Sequence, residues 1–136
     1  MKRNIALKVF TGLMSLFLLT SCQSAKNPYQ ISITQNQQVI KTYSLEMIQK
    51  MPVKSFAKDG KIESGPSVAV LLEDLGIKDF SKLTFKNGSG ETFQVINPEN
   101  FILDITNRGT CKLASEKLSK EQWLKDITEI EIETEP

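Results

Sequence analysis

Ser64-Gly65-Pro66-Ser67-Val68-Ala69-Val70-Leu71-Leu72-Glu73-Asp74-Leu75-Gly76-Ile77 is the stretch around which the chain organises itself. Gly65-Pro66 breaks whatever strand precedes it, and Ser67 is a residue type that caps a helix N-terminus. Val68, Leu71, Leu72 and Leu75 recur at i, i+3, i+4 and i+7, one apolar stripe on a helix from Ser67 through Leu75. Gly76 then supplies the left-handed residue that ends it. Upstream, Val53–Lys58 and Lys61–Ser64 flank Asp59-Gly60, a hairpin signal. Further back, Ser44 caps a short helix through Lys50, with Leu45 and Ile48 facing inward and Pro52 just beyond. Tyr29–Thr34 alternates in period two, Gln35–Gln37 reads as a turn, and Gln38–Tyr43 returns as a strand.

Downstream, Leu83–Lys86 and Glu91–Ile96 bracket Asn87-Gly88-Ser89-Gly90, a second hairpin or tight connection. Phe101–Thr106 reads as a strand, or a short helix running into one, and Cys111–Ala114 as a further strand. Ser119 with Gln122 predicts a capping box opening a third helix that carries Trp123 and Leu124. Ile127–Glu133 closes the chain, with Ile130 and Ile132 alternating against Glu129, Glu131 and Glu133. Short strands interrupted by about three short helices give an α+β fold, mixed and mostly β. No repeat or low-complexity block divides 29–136, which reads as a single domain.

The chain has 136 residues, 17 Lys+Arg, 16 Asp+Glu, two cysteines and no histidine. Without histidine, no Ser-His-Asp or Cys-His nucleophile can be assembled, and no imidazole can ligate zinc, haem or iron. Two cysteines are too few for a disulfide framework or an iron–sulfur cluster.

Lys2, Arg3 and Lys8 precede a mostly apolar run, Val9–Thr20. As a helix it would reach only ~18 Å, short of the ~30 Å hydrocarbon core, so it reads as a signal-peptide h-region. An uncleaved anchor is the alternative. Leu19-Thr20-Ser21-Cys22 resembles the bacterial lipobox. That resemblance implies cleavage between Ser21 and Cys22, acylation of the Cys22 thiol, and a palmitate-bearing lipoprotein on the extracytoplasmic face of the cell membrane. Two acyl chains anchor stably where one binds reversibly. The expected layout is a signal peptide (1–21), a lipidated N-terminus and small polar tether (22–28), and the domain (29–136). The part from Cys22 onward has 14 basic and 16 acidic side chains. The basic residues are scattered, which disfavours nucleic acid as a partner.

The candidate chemistry has bland readings beside it. Glu129, Glu131 and Glu133 share one strand face, a calcium-like oxygen set or a solvated face that discourages edge pairing. Glu73-Asp74 lies opposite the apolar stripe, where adjacent helical positions do not form a dyad. Asn87–Gly90 offers backbone N–H groups to an anion but lacks the lysine and following helix of a P-loop, so it reads as a turn. Cys111 reads as a small core residue, with a ligand or redox role as the alternative. Trp123 reads as a core anchor.

The order of pieces adds a resemblance. Ser44-Leu45-Glu46-Met47-Ile48-Gln49-Lys50-Met51-Pro52, the hairpin, the Leu71-Leu72 helix ending in Gly76-Ile77, Leu83–Lys86, and Trp123-Leu124-Lys125 before an Ile130-Glu131 strand follow one another. This succession resembles the molybdopterin-binding domain of the sulfite-oxidase type of oxidoreductases, over about 38–133. In that family a cysteine ahead of the Leu-Leu helix ligates molybdenum, whereas Val53–Gly65 contains none and Cys111 lies some 40 residues past the helix. The family's Asp-Gly-Tyr turn is replaced by Asn87–Gly90. The resemblance therefore implies the scaffold and no catalytic residue. The expectation is a binding or accessory module with no cofactor, its partner an exported redox protein or a small ligand. The ligand cleft would lie between Asp59, Gly60 and Gly65 on one side and Asn87, Gly88, Ser89 and Gly90 on the other. A molybdopterin-binding redox protein, with Cys111 as an unconventional ligand, and a structural surface domain are the alternatives.

Overall fold

The computed structural model describes residues 28–135. The expected signal peptide, the Ser21–Cys22 bond and the tether up to Asn27 lie outside the described residues. The domain is mostly β, a mixed α+β fold. Its frame is a five-stranded sheet built from β1 (Gln30–Gln35), β2 (Gln38–Ser44), β5 (Lys82–Asn87), β6 (Thr92–Val95) and β9 (Ile127–Glu133). The order across it is β2-β1-β9-β5-β6, so the last strand enters the middle. It runs parallel to β1 and antiparallel to β5.

Alternation decides which face is buried. Ile31 and Ile33 of β1, Leu83 and Phe85 of β5, and Ile130 and Ile132 of β9 are all at most 2 % exposed. Ile127 is also buried although period two would turn it outward. A register shift between Lys86 and Asn87, opposite Ile127, resets the alternation there, as a bulge does. The turn from β1 to β2 uses Asn36 and Gln37, both at positive φ (53° and 64°). Those signs match the two-residue turn whose twist suits a hairpin.

Against the apolar face lie two short helices, α1 (Leu45–Gln49) and α2 (Val68–Leu75). Both begin as their sequences predict. The Ser44 hydroxyl accepts from the Met47 amide, and that of Ser67 from the Val70 amide. Gly76 ends α2 at φ 72°, with its N–H on the Glu73 carbonyl. Val68, Leu71 and Leu72 enter the core with Ile48 and Tyr43.

Two further hairpins complete the molecule, β3 (Lys54–Lys58) with β4 (Lys61–Gly65), and β7 (Ile102–Ile105) with β8 (Cys111–Ala114). One face of β7–β8, bearing Leu103, Ile105, Cys111 and Leu113, belongs to the main core. Its other face, bearing Ile102 and Ala114, forms a second small core with Trp123, Phe56 and Leu118.

Two expectations are corrected. The third helix is a single 3-10 turn, Lys120–Gln122. The capping box between Ser119 and Gln122 does form, but Trp123 is already extended (φ −72°, ψ 132°). Leu124 instead bridges to β8, its carbonyl accepting from the Leu113 amide at 2.8 Å. A few residues of local helix signal yield to burial of Trp123 and Leu124 in two different cores. Nor does the glutamate row guard an edge, because β9 is the central strand. Its carboxylates are balanced by lysines on β5, with Lys86 Nζ 3.4 Å from Glu129 and 3.5 Å from Glu131.

Candidate functional site

The β3–β4 hairpin lies over the outer face of β7–β8. Its Phe56 ring meets Trp123 edge-on, with centroids 6.1 Å apart and planes at 82°. The indole N–H donates to the Ser115 carbonyl at 3.0 Å, satisfying the one polar atom of a buried side chain. Where β4 leads into α2 the two layers touch through backbone. The Leu103 amide donates to the Pro66 carbonyl and the Val68 amide to the Phe101 carbonyl, each at 2.9 Å. At Gly65 a Cβ would stand 1.9 Å from the Leu103 carbonyl oxygen. Only glycine permits this approach.

Beside the small apolar core sits a cluster of charge. Lys112 on β8 holds its Nζ 3.0 Å from Glu63 of β4 and 3.6 Å from Asp104 of β7. The same ammonium lies 5.3 Å from the centre of the Trp123 ring. Glu63 is 5 % exposed. Two carboxylates around one cation in so dry a place carry an excess negative charge, and a shared proton relieves it. Burial, then the neighbouring Glu63 carboxyl, pushes Asp104 up to about 7. The hydrogen bond from Asp104, reinforced by Lys112, holds Glu63 below the usual carboxylate range. Of the two carboxyls, Asp104, the one farther from the ammonium, is therefore the more readily protonated.

Asp104 also lines a small cavity of about 210 Å³ with Ser64, Gly65, Pro66, Ile48 and Ile105 among its walls. A carboxyl that exchanges its proton near neutral pH beside a cavity can donate or accept a hydrogen bond according to what enters. A cavity that coincides with a perturbed group is a candidate binding site. Two larger cavities among the described residues carry no carboxyl pushed upward. One of about 730 Å³ lies between α2 and the 3-10 turn Pro98–Asn100, walled by Leu72, Ile77 and Phe80. Another of about 540 Å³ lies beside Tyr43, Lys41 and Asp74. There the Tyr43 hydroxyl and Lys41 donate to one Asp74 oxygen, at 2.5 and 2.9 Å. The Tyr43 and Lys41 bonds, in that order, lower the Asp74 carboxyl.

The sequence-derived cleft separates into three places. Gly65 lines the Asp104 cavity, and Asp59 and Gly60 form the exposed tip of β3–β4. Asn87–Gly90 is the β5–β6 turn, held by its own groups. The Asn87 side-chain oxygen accepts from the Ser89 and Glu91 amides, while its amide nitrogen donates to the Lys125 carbonyl. Among the described residues no hydrogen bond joins this turn to Asp59–Ser67. An anion seeking its N–H groups would compete with the Asn87 side chain.

Cys111 is in the main core, and its amide donates to the Tyr29 hydroxyl at 3.1 Å. Burial pushes its thiol up to about 11, opposite to what a metal-ligating thiolate needs. Among the described residues no three His, Cys, Asp or Glu side chains cluster as metal donors. A buried thiol held protonated, with no cluster of further donors among the described residues, does not fit the alternative of Cys111 as a molybdenum ligand.

Glu63, Asp104 and Lys112 belong to no motif, but Asp104 and Lys112 each interrupt an apolar strand pattern. Asp104 stands in Ile102-Leu103-Asp104-Ile105 and Lys112 in Cys111-Lys112-Leu113-Ala114. Opposite charges inside two short apolar strands are a signal for a buried pair.

The architecture defines an α+β domain in which a hairpin layer is clamped over a sheet-and-helix core. No protein-family model matches the chain, and no curated protein matches it significantly. Among the described residues no helix is long and apolar enough to cross a membrane.

Proposed function

We propose that the chain is an extracytoplasmic lipoprotein, held at the cell membrane through Cys22, whose domain is a binding or accessory module. The observation that carries this reading is Leu19-Thr20-Ser21-Cys22 at the end of a basic and then apolar N-terminus. The succession from the Met51-Pro52 helix through the Leu71-Leu72 helix to the Ile130-Glu131 strand supports a scaffold of the sulfite-oxidase type. Fold and site are separable, so such a scaffold can serve binding after losing its metal ligand. Within this reading the ligand-facing group is Asp104, at the cavity shared by Ser64, Gly65 and Pro66.

The test has two arms. Expression in a bacterial host with alkyne-palmitate should label the wild type and leave Cys22→Ala unlabelled and released from the membrane fraction. Equal labelling and retention of both forms would sink the lipoprotein reading. Elemental mass spectrometry of the domain from Gln23 onward, exported by the same host, tests the module reading. A folded domain with no stoichiometric molybdenum supports it, and near-stoichiometric molybdenum replaces it with a redox protein.

A further inference from the structure

The described chain begins at one particular end of the central sheet. Tyr29 is pinned there, its hydroxyl donating to the Ile127 carbonyl and accepting from the Cys111 amide. The root of the N-terminal segment is thus tied to β8 and β9 at once. Gln30 pairs with Ser44, and Asn87 with Ile127, so the same end carries the start of α1 and the Asn87–Gly90 turn. It also carries Lys125 and the Arg108–Asp126 pair, whose atoms approach to 2.8 Å. The opposite end holds the Asn36–Gln37 turn, Gln38, Glu133 and Ser81. At ~3.3 Å per residue, six residues of β1 put about 20 Å between the two ends.

We propose that the Tyr29 end of the sheet faces the lipid bilayer and that the Asn36–Gln37 end points away from it. This rests on the reading of Cys22 as the lipid anchor. From Cys22 to Pro28 there are six peptide links, a contour of about 20 Å. Even fully stretched, that length does not exceed the height of the sheet, so the pinned end stays nearest the lipid.

Charge does not do the placing, because Arg108 and Lys125 at this end are offset by Asp126 and Glu91. The Asp104 cavity lies in the membrane-proximal half. Ile105 pairs with Cys111, the residue bonded to Tyr29, and α1 starts opposite Gln30. A ligand of that cavity is therefore met close to the bilayer surface.

The experiment uses the full, processed chain in phosphatidylcholine vesicles doped with a headgroup nitroxide lipid. Fluorophores are attached at Ser89→Cys on the near turn or Gln38→Cys at the far end, both exposed positions. Cys111 is 0 % exposed and does not compete for label. Ser89 should be quenched several-fold more than Gln38, and equally so in 0.5 M salt. Inserting about 20 Gly/Ser residues between Asn27 and Pro28 should erase most of the difference. Equal or reversed quenching on membrane-bound protein overturns the orientation and leaves the anchor intact. If Cys22→Ala binds the vesicles as the wild type does, the anchor reading falls and takes the orientation with it. A second pair, Lys125→Cys and Ile96→Cys, repeats the comparison should either first variant lose its fold.

Discussion

The central sheet and the clamped hairpin layer are held by different forces. The sheet buries Ile31, Ile33, Leu83, Phe85, Ile130 and Ile132 against α2 and one face of β7–β8. The second layer buries only Ile102, Ala114 and Trp123 with partial cover from Phe56 and Leu118. It makes up the remainder with Glu63, Asp104 and Lys112 and with backbone contact at Gly65. Apolar burial is additive in area and tolerant of pH. A buried ion cluster is strong only while every charge has its partner. The first region supplies stability, and the second is the part of the molecule whose stability conditions can tune.

The largest effect should come from the first region. Phe85 is fully buried at the centre of β5, and Phe85→Ala should cost about 3–5 kcal/mol from lost transfer energy and a cavity. Urea unfolding followed by far-UV circular dichroism reads this directly. A loss below 1 kcal/mol would mean that the sheet core is not the main support.

Gly65→Ala strikes the second region. The new methyl group would overlap the Leu103 carbonyl, which is backbone and cannot rotate away. An overpacking cost of about 1–3 kcal/mol is expected. It should appear first in the fluorescence of Trp123, the only tryptophan, as the hairpin lifts and the indole meets water. If Trp123 and the far-UV signal move together at all denaturant concentrations, the two regions unfold as one unit and the contrast between them fails.

The third test is pH. Burial and the Glu63 carboxyl push Asp104 up to about 7 in the fold, against ~3.9 when unfolded. Between those values the native state binds more protons than the unfolded chain, so stability falls as pH rises and levels off above 7. Lys112, Glu63 and, more distantly, Lys120 and Cys111 are the titratable groups that face the pair. A decline on the order of 1–3 kcal/mol from pH 5 to 8 is expected. Asp104→Asn should flatten that slope while leaving the acid limb below pH 4, where the depressed Glu63 and Asp74 carboxyls act in the opposite sense. An unchanged slope in Asp104→Asn would move the proton to another group.

The same contrast explains what the sequence made legible. Hydrophobic period, caps and turn residues act locally, so both helices, three of the four hairpins and the closing strand follow from Ser44, Ser67, Gln35–Gln37, Asp59-Gly60, Asn87–Gly90 and the Ile130/Ile132 alternation. The strand order was not legible, because nothing local says that β9 inserts between β1 and β5. The capping box at Ser119 misled for the same reason. It specifies how a turn starts and is silent on where Trp123 and Leu124 are drawn. Of the residues read as one cleft, Gly65 lines the Asp104 cavity. Asn87–Gly90 joins it only through the resemblance, in which it stands where the family has an Asp-Gly-Tyr turn, and no local residue tests that placement. Glu63, Asp104 and Lys112 come from three strands and meet only in three dimensions.

The smallest effect should come from the glutamate row, which is charged like the second region but exposed like a surface. Burial acts against the charge on Lys86, but Glu129 and Glu131 outweigh it and raise the ammonium above its ordinary value. The three side chains are 29–35 % exposed, so water and salt screen most of the attraction, and a pair in such a setting contributes about 0.2–1 kcal/mol. Glu131→Gln leaves Lys86 with Glu129 and should cost less than about 0.5 kcal/mol, vanishing in 0.5 M salt. The measurement is a melting curve at two salt concentrations. A loss as large as that of Gly65→Ala would mean that charge supports the central sheet as it does the hairpin layer, and that the two regions differ in composition only.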